Sequence, residues 1–357
     1  MGLWDWIFET LIGGGARTEP DRSHVEPLTS SRETAVATLD EPDEPAVDDA
    51  DEQPEDLWWR PEGLTVAEPP EIQRPDLSPE ARSLESKLIQ QFDGHDLTMP
   101  PLPRTPERVL QRLRDRKCSF ARVADEIAED QVTAAAVLRA VNSPMYRGIS
   151  EITSLQLAAT RLGVNALRTL MMHQALRAAT FLKEGGDKDL ADLVWRRSVA
   201  SACIMSGLAK FTALSEEDAW LTGLLHDVGN VIVLRVVGNH RSVSGYQIDA
   251  ETFEYLCFES HQEFGELVAE AWNLPPRLKS LLADHHRHPE PDDPLRTERL
   301  TIQLSDMIAS LLGYAPSVSY DLLATRPAQD LGLAEREDFV AFLRSLPTQV
   351  RDAMMYF

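Results

Sequence analysis

The sequence predicts an all-α protein: a multi-helix domain preceded by an acidic tether and a short amphipathic helix. Three observations carry this. Apolar residues recur at helical spacing from about residue 77 to residue 357. Helix starts are marked by a hydroxyl residue ahead of Pro or acid, as in Ser78-Pro79-Glu80, Thr105-Pro106-Glu107 and Ser215-Glu216-Glu217. One strand-like run exists, Val231-Ile232-Val233-Leu234, and it continues the helical phase of Leu224 and Leu225.

In chain order, residues 1–15 come first. Leu3, Trp4, Ile7, Phe8, Leu11 and Ile12 fall on one helical face, Asp5 and Glu9 on the other, and Gly13 to Gly15 end the run. An apolar face at a chain terminus needs cover: another protein, this protein's own body, or a membrane surface. Interfacial helices usually carry Lys or Arg toward anionic lipid. This polar face is acidic, so residues 3–12 are read as a protein-docking helix, ahead of weak membrane-surface contact.

Residues 16–76 form a linker. Between residues 18 and 76 there are 18 Asp and Glu against 4 Arg, and eight of the 23 prolines lie between Pro20 and Pro70. Such a segment buries too little apolar surface to offset its ordering entropy, and its charges repel one another. Leu57, Trp58 and Trp59 interrupt it, either as a second docking spot or as an incidental cluster.

Residues 77–310 are read as the main helical domain and 311–357 as a C-terminal helical extension. Periodic segments cover 131–142, 154–162, 164–181, 188–211, 216–237, 252–272, 276–286, 295–313 and 336–356, the last with a break expected near Pro347. A net charge of −23 argues against nucleic-acid binding, because phosphate contacts need clustered cations. Arg104 to Lys117 is the local exception, and a solvated helix face is preferred there over a nucleic-acid contact. Cys118, Cys203 and Cys257 are widely spaced thiols with no C-x-x-C pair, as in a reduced, cytoplasmic protein. No transmembrane segment is expected.

The chemistry-bearing residues cluster late in the chain. His226 and Asp227 are adjacent in "GLLHDVGNVIVL", so on a helix their side chains diverge by about 100° and can take two corners of one coordination shell. Gly229 permits a close backbone approach. His261 is placed at the start of a helix ending at Trp272, His285 and His286 stand together, and Asp306 lies inside an apolar helix, where a carboxylate is costly unless paired or metal-bound. Imidazole with carboxylate suits Fe, Mn, Zn or Ni. Each residue also has a plain structural use: His261 as a helix-start donor, Asp306 as a cap, His288 and one of the His pair facing solvent.

The order His-Asp, His, His-His, Asp on helices resembles the HD superfamily of metal-dependent phosphohydrolases. "MPPLPRTPERVLQRL", "VADEIAEDQVTAAAVLRAVNSPMYRG", "SLQLAATRLGVNALRTLMMHQAL" and "FGELVAEAWNLP" narrow the resemblance to the HDOD domain, over roughly residues 97 to 310. The departures are informative. The first His of catalytic relatives is replaced by Arg197, an acidic ligand of the HD-GYP phosphodiesterases by Leu193, and their Lys by Asn230. No Gly-Tyr-Pro element is found. Arg197 cannot ligate a metal and brings a fixed positive charge, able to form a bidentate pair with Asp227 or Asp306. The resemblance therefore implies a non-catalytic signalling or scaffold protein that binds a partner protein or a nucleotide second messenger, with a degenerate metal site. Arg197 and Asn230 are its candidate ligand-binding residues. The alternative is a divergent cyclic-dinucleotide phosphodiesterase-like hydrolase using His226, Asp227, His261, His285, His286 and Asp306.

Overall fold

The computed structural model describes residues 58–60, 74–94, 100–115, 118–142, 151–181, 187–315 and 320–356. The expected docking helix, and the expected linker apart from residues 58–60 and 74–76, lie outside these. The elements are α1 (Pro79–Gly94), α2 (Arg104–Arg112), α3 (Phe120–Ala128), α4 (Gln131–Asn142), α5 (Leu155–Phe181), α6 (Lys188–Leu208), α7 (Glu216–Leu225), α8 (Asn230–Ser244), α9 (Ala250–Ala271), α10 (Pro276–Ala283), α11 (Arg296–Leu311), α12 (Arg326–Asp330) and α13 (Glu337–Tyr356). Among the described residues there is no strand, and "VIVL" is helical as its phase predicts.

Two apolar cores organise the helices. The smaller one is built by α2, α3, α4 and the first half of α5, around Val109, Val123, Ile127, Val137 and Leu167. Asn142 ties its end together: its amide nitrogen donates to Leu138 O at 2.9 Å and Ile152 O at 2.8 Å, and its oxygen accepts from Ile152 N at 2.7 Å. Gly163, at φ 75° and ψ −179°, breaks α5 into two helical stretches, a backbone state that costs Gly little. The second stretch of α5 enters the larger core with α1 and α6 to α13, around Leu84, Ile204, Leu224, Val231, Phe264 and Leu304. The C-terminal helix belongs to this same core through Phe339, Leu343, Leu346 and Val350.

Local signals mostly act as read. Ser78 Oγ accepts from Ala81 N at 3.1 Å, and Ser215 Oγ from Asp218 N at 3.1 Å. Two expectations need correcting. Thr105 does not cap α2: the helix starts at Arg104 with Pro103 at the cap position, and Pro106 is tolerated in a first turn whose N–H groups have no helical partner anyway. Pro347 lies inside α13 instead of breaking it, because Leu346 and Val350 on either side are anchored in the core. Trp59 is buried in the larger core, its carbonyl accepting from Leu322 N at 2.9 Å, and Arg60 pairs with Asp321 at 2.9 Å. The tryptophan pair is thus seated on the body.

Helix crossings at glycine set the frame of the site. A Cβ on Gly223 would come within 2.5 Å of Ser201 O, so α7 packs backbone to backbone on α6. A Cβ on Gly229 would stand 2.0 Å from His261 O, which brings the turn between α7 and α8 onto α9. Among the described residues one helical run, Glu216–Ser244, is long and apolar enough to cross a membrane, and it is mostly buried in the body.

Candidate metal centre

Four elements bring the candidate residues together. His226 caps the C-terminus of α7, and Asp227 follows in the turn before α8. His261 lies in the middle of α9, not at a helix start as expected: Asp249 caps this helix more than three turns earlier by accepting from Thr252 N at 2.8 Å. His285 and His286 follow α10, and Asp306 comes from α11.

All six converge. His226 Nε2 is 3.0 Å from Asp306 Oδ1 and 3.4 Å from Asp227 Oδ1. Asp227 Oδ1 lies 3.4 Å from His261 Nε2 and 3.6 Å from His285 Nε2. His261 Nε2 stands 3.2 Å from His285 Nε2 and 2.9 Å from His286 Nε2. His226, Asp227, His261 and His285 are buried, whereas His286 is exposed and Asp306 partly so, and the cluster opens to solvent on that side.

The imidazoles are oriented by backbone. His226 Nδ1 is 2.8 Å from Gly223 O, His261 Nδ1 2.9 Å from Cys257 O, and His285 Nδ1 3.2 Å from Leu281 O. A carbonyl only accepts, so in each ring Nδ1 carries the proton and, in the neutral ring, Nε2 is a bare lone pair. The His261 and His285 Nε2 atoms face each other, whereas His226 Nε2 faces carboxylate oxygens that keep it protonated in the metal-free chain. Asp306 Oδ2 is buried without a hydrogen-bond partner among the described residues.

A divalent ion about 2.1 Å from each ligand holds neighbouring ligand atoms about 3.0–3.4 Å apart. The observed separations cluster around that spacing, and the donor set is imidazole plus carboxylate. The residues therefore fit a divalent transition ion. Two overlapping sets present themselves: His226, Asp227 and His285, all buried, and His261, His285 and His286.

Electrostatics sharpen the picture. Burial alone would lower His226, but Asp227 and Asp306 together outweigh it and raise it to about 9. Burial pushes both carboxyls up, and the neighbouring imidazoles, His226 foremost, more than reverse this, holding both below the usual carboxylate range. Burial lowers His261 to about 4, so that ring is neutral.

Arg197 flanks the cluster where the resemblance expects a ligating imidazole. Its Nε is 3.9 Å from Asp227 Oδ2, a single edge contact and not a two-pronged pair. Asn230 is buried, and its Oδ1 has no hydrogen-bond partner among the described residues. His288 pairs with Asp330 at 3.1 Å and takes no part.

Sequence reasoning missed the supports. Gln303 donates to His285 O at 2.8 Å and Arg287 O at 2.9 Å, fixing the turn that carries the His pair. With its amide oxygen turned toward that turn, Gln262 accepts from the His285 and His286 N–H groups at 3.1 and 3.0 Å. Arg299, buried, donates to Ser280 Oγ at 3.1 Å and to Asp284 O. Gln303 lies three residues before Asp306 on α11, and that helical spacing was the available signal.

The protein compares with others as follows. A chain of Treponema pallidum (strain Nichols), itself uncharacterised, is 22% identical over 245 residues, covering 65% of this chain but 46% of its own length. Thus this chain spans about half of that relative. The fold matches a protein of Shewanella amazonensis SB2B whose name proposes a metal-dependent phosphohydrolase, with TM-score 0.60, 19% identity, and coverage of 76% of this chain and 100% of that one. It also matches an HDOD domain protein of unknown function from Geobacter sulfurreducens, with TM-score 0.57, 22% identity, and coverage of 77% and 99%. The HDOD domain model matches residues 99–288, more than half of the sequence. On that match and this helical fold, the chain belongs to the HDOD domain family.

Proposed function

We propose that this chain is a signalling or scaffold HDOD protein without hydrolase activity, whose cluster holds one divalent transition ion as a structural tie between α7, α9, α10 and α11. One observation carries the reading: imidazoles on three different elements, each with Nδ1 turned to a backbone carbonyl, converge their Nε2 atoms on a single buried space beside Asp227. A cluster held together by charge alone would need the Arg197, Asp227, Asp306 and His226 charges, but not the facing His261 and His285 lone pairs. His226, Asp227 and His285 would hold the ion, with Asp306 beside them. The bound ion would supply a Lewis acid that adds to the existing ties among these helices, such as the Arg277 pair with Glu298 and the Lys279 pair with Glu270.

Arg197 is the argument against hydrolysis. Phosphodiester cleavage draws on a lowered water pKa and on charge that a two-metal site usually provides. A fixed guanidinium on the Asp227 flank supplies no ligand there and opposes a second cation. The body would act by recognising a partner protein or a nucleotide second messenger, with Arg197 and Asn230 at the edge of the cluster.

The second reading, a divergent phosphohydrolase, is favoured by the second ligand set, His261, His285 and His286. The two separate in a turnover assay. The metal-reconstituted full chain is incubated with a cyclic dinucleotide and with an activated phosphodiester. No turnover above metal in buffer is expected. Turnover that disappears in Asp227→Ala would establish the hydrolase.

A further inference from the structure

The larger and smaller cores meet at a pocket of about 440 Å³ that is separate from the metal centre. Its volume falls in the range of sites that take a ligand or a pair of side chains. The floor is apolar, with Met172 from α5, Leu225 from α7, Trp272 after α9 and Leu278 from α10. The Trp272 indole N–H is already used by Pro100 O at 2.9 Å, so the ring has no polar demand on an occupant.

The rim is basic in a chain of net charge −23. Arg114, Arg168 and Arg277 line it against one acid, Asp218. Arg114 donates to Asn273 O at 2.6 Å, and Arg277 pairs with Glu298 at 2.6 Å. Arg168 makes no ion pair among the described residues. The pocket therefore asks for an apolar occupant with acid beside it.

We infer that this pocket is the docking site of the chain's own residues 3–12. Trp4 and Phe8, one helical turn apart, would supply the apolar anchors, and Asp5 and Glu9 the acids that meet Arg168 and its neighbours. Reach is not limiting. Forty-five residues separate Ile12 from the anchored Trp58. As a coil they span about 35–40 Å on average, against a radius of gyration of about 19 Å for a body of this size. Tethering at that length gives an effective concentration near the millimolar range, so modest affinity keeps the pocket filled. The pocket also touches the metal centre mechanically: Leu225 precedes His226, and α10 leads to His285. Docking here is independent of whether a metal is held.

The test uses the full chain and a full-length Trp4→Ser/Phe8→Ser variant, with a fluorescently labelled peptide of residues 1–15 followed by anisotropy. The peptide is expected to bind the variant, and to bind the native chain about tenfold or more weakly, since the native segment competes. Arg168→Glu in the variant background is expected to weaken peptide binding by about tenfold. Equal binding to native and variant chains, or binding to neither, overturns the proposal. So does indifference to Arg168→Glu. Competition in the native chain that fades on dilution from about 100 μM to about 1 μM would assign the occupant to a second copy, and would overturn docking in cis.

Discussion

Two buried carboxylates show what separates a structural charge from a functional one. Glu126, in the smaller core, is buried on α3 and its Oε1 faces dedicated cations: Arg112 Nε donates at 2.7 Å, and Arg108 lies at 3.6 Å. Asp227, in the larger bundle, is also buried, yet its one guanidinium stands at 3.9 Å and its nearest neighbours are imidazole nitrogens. A carboxylate buried for structure is met by a fixed opposite charge, because an unpaired one is expensive. A carboxylate set among converging imidazole nitrogens is arranged to share a metal ion with them.

The contrast can be broken most forcefully at the crossing that builds the metal centre. Gly229→Ala places a methyl 2.0 Å from His261 O, against α9 backbone with no side chain free to yield. A loss of about 3 kcal/mol in urea unfolding is expected, together with loss of metal binding. Glu126→Ala sharpens the comparison from the other side. It strands Arg112, whose side chain is partly exposed and can turn to water, so a loss of about 2 kcal/mol is expected with metal content unchanged.

Smaller effects follow. Gln303→Ala frees the turn holding His285 and is expected to weaken metal affinity about tenfold, read by chelator competition, with little change in the metal-free melting temperature. Asp249→Ala removes the cap of α9 and should cost about 1 kcal/mol near neutral pH. The Thr252 backbone N–H is the largest cause holding Asp249 below the usual carboxylate range. Its folded-state value is therefore the depressed one. The contribution is full above the unfolded value of about 3.9 and is lost as pH falls through the lower folded value. Native and variant stabilities should converge in acid.

Much of this was legible in the sequence, for identifiable reasons. The six ligand candidates stood out because His and Asp inside apolar helical runs need a partner, and the HDOD pattern set them in order. The kink of α5 was visible as Gly163 between two periodic stretches. What stayed hidden depends on tertiary contact. His261 was placed at a helix start because the capping Asp249 lies twelve residues upstream, behind "SGYQI". Gln303 and Gln262 are ordinary polar residues until the turn at His285 is folded against them. Trp59 sits in so acidic a stretch that composition masks its place in the core.

The central claim is that the facing imidazoles hold an ion, and elemental analysis of the full chain tests it most directly. The protein is purified without chelator or nickel affinity resin, and Asp227→Ala is prepared alongside. About one divalent transition-metal atom per chain, absent from Asp227→Ala, is the predicted result. A native chain that carries none and takes up none on reconstitution would contradict the account, and would leave Arg197, His226 and the two carboxylates as a charge cluster.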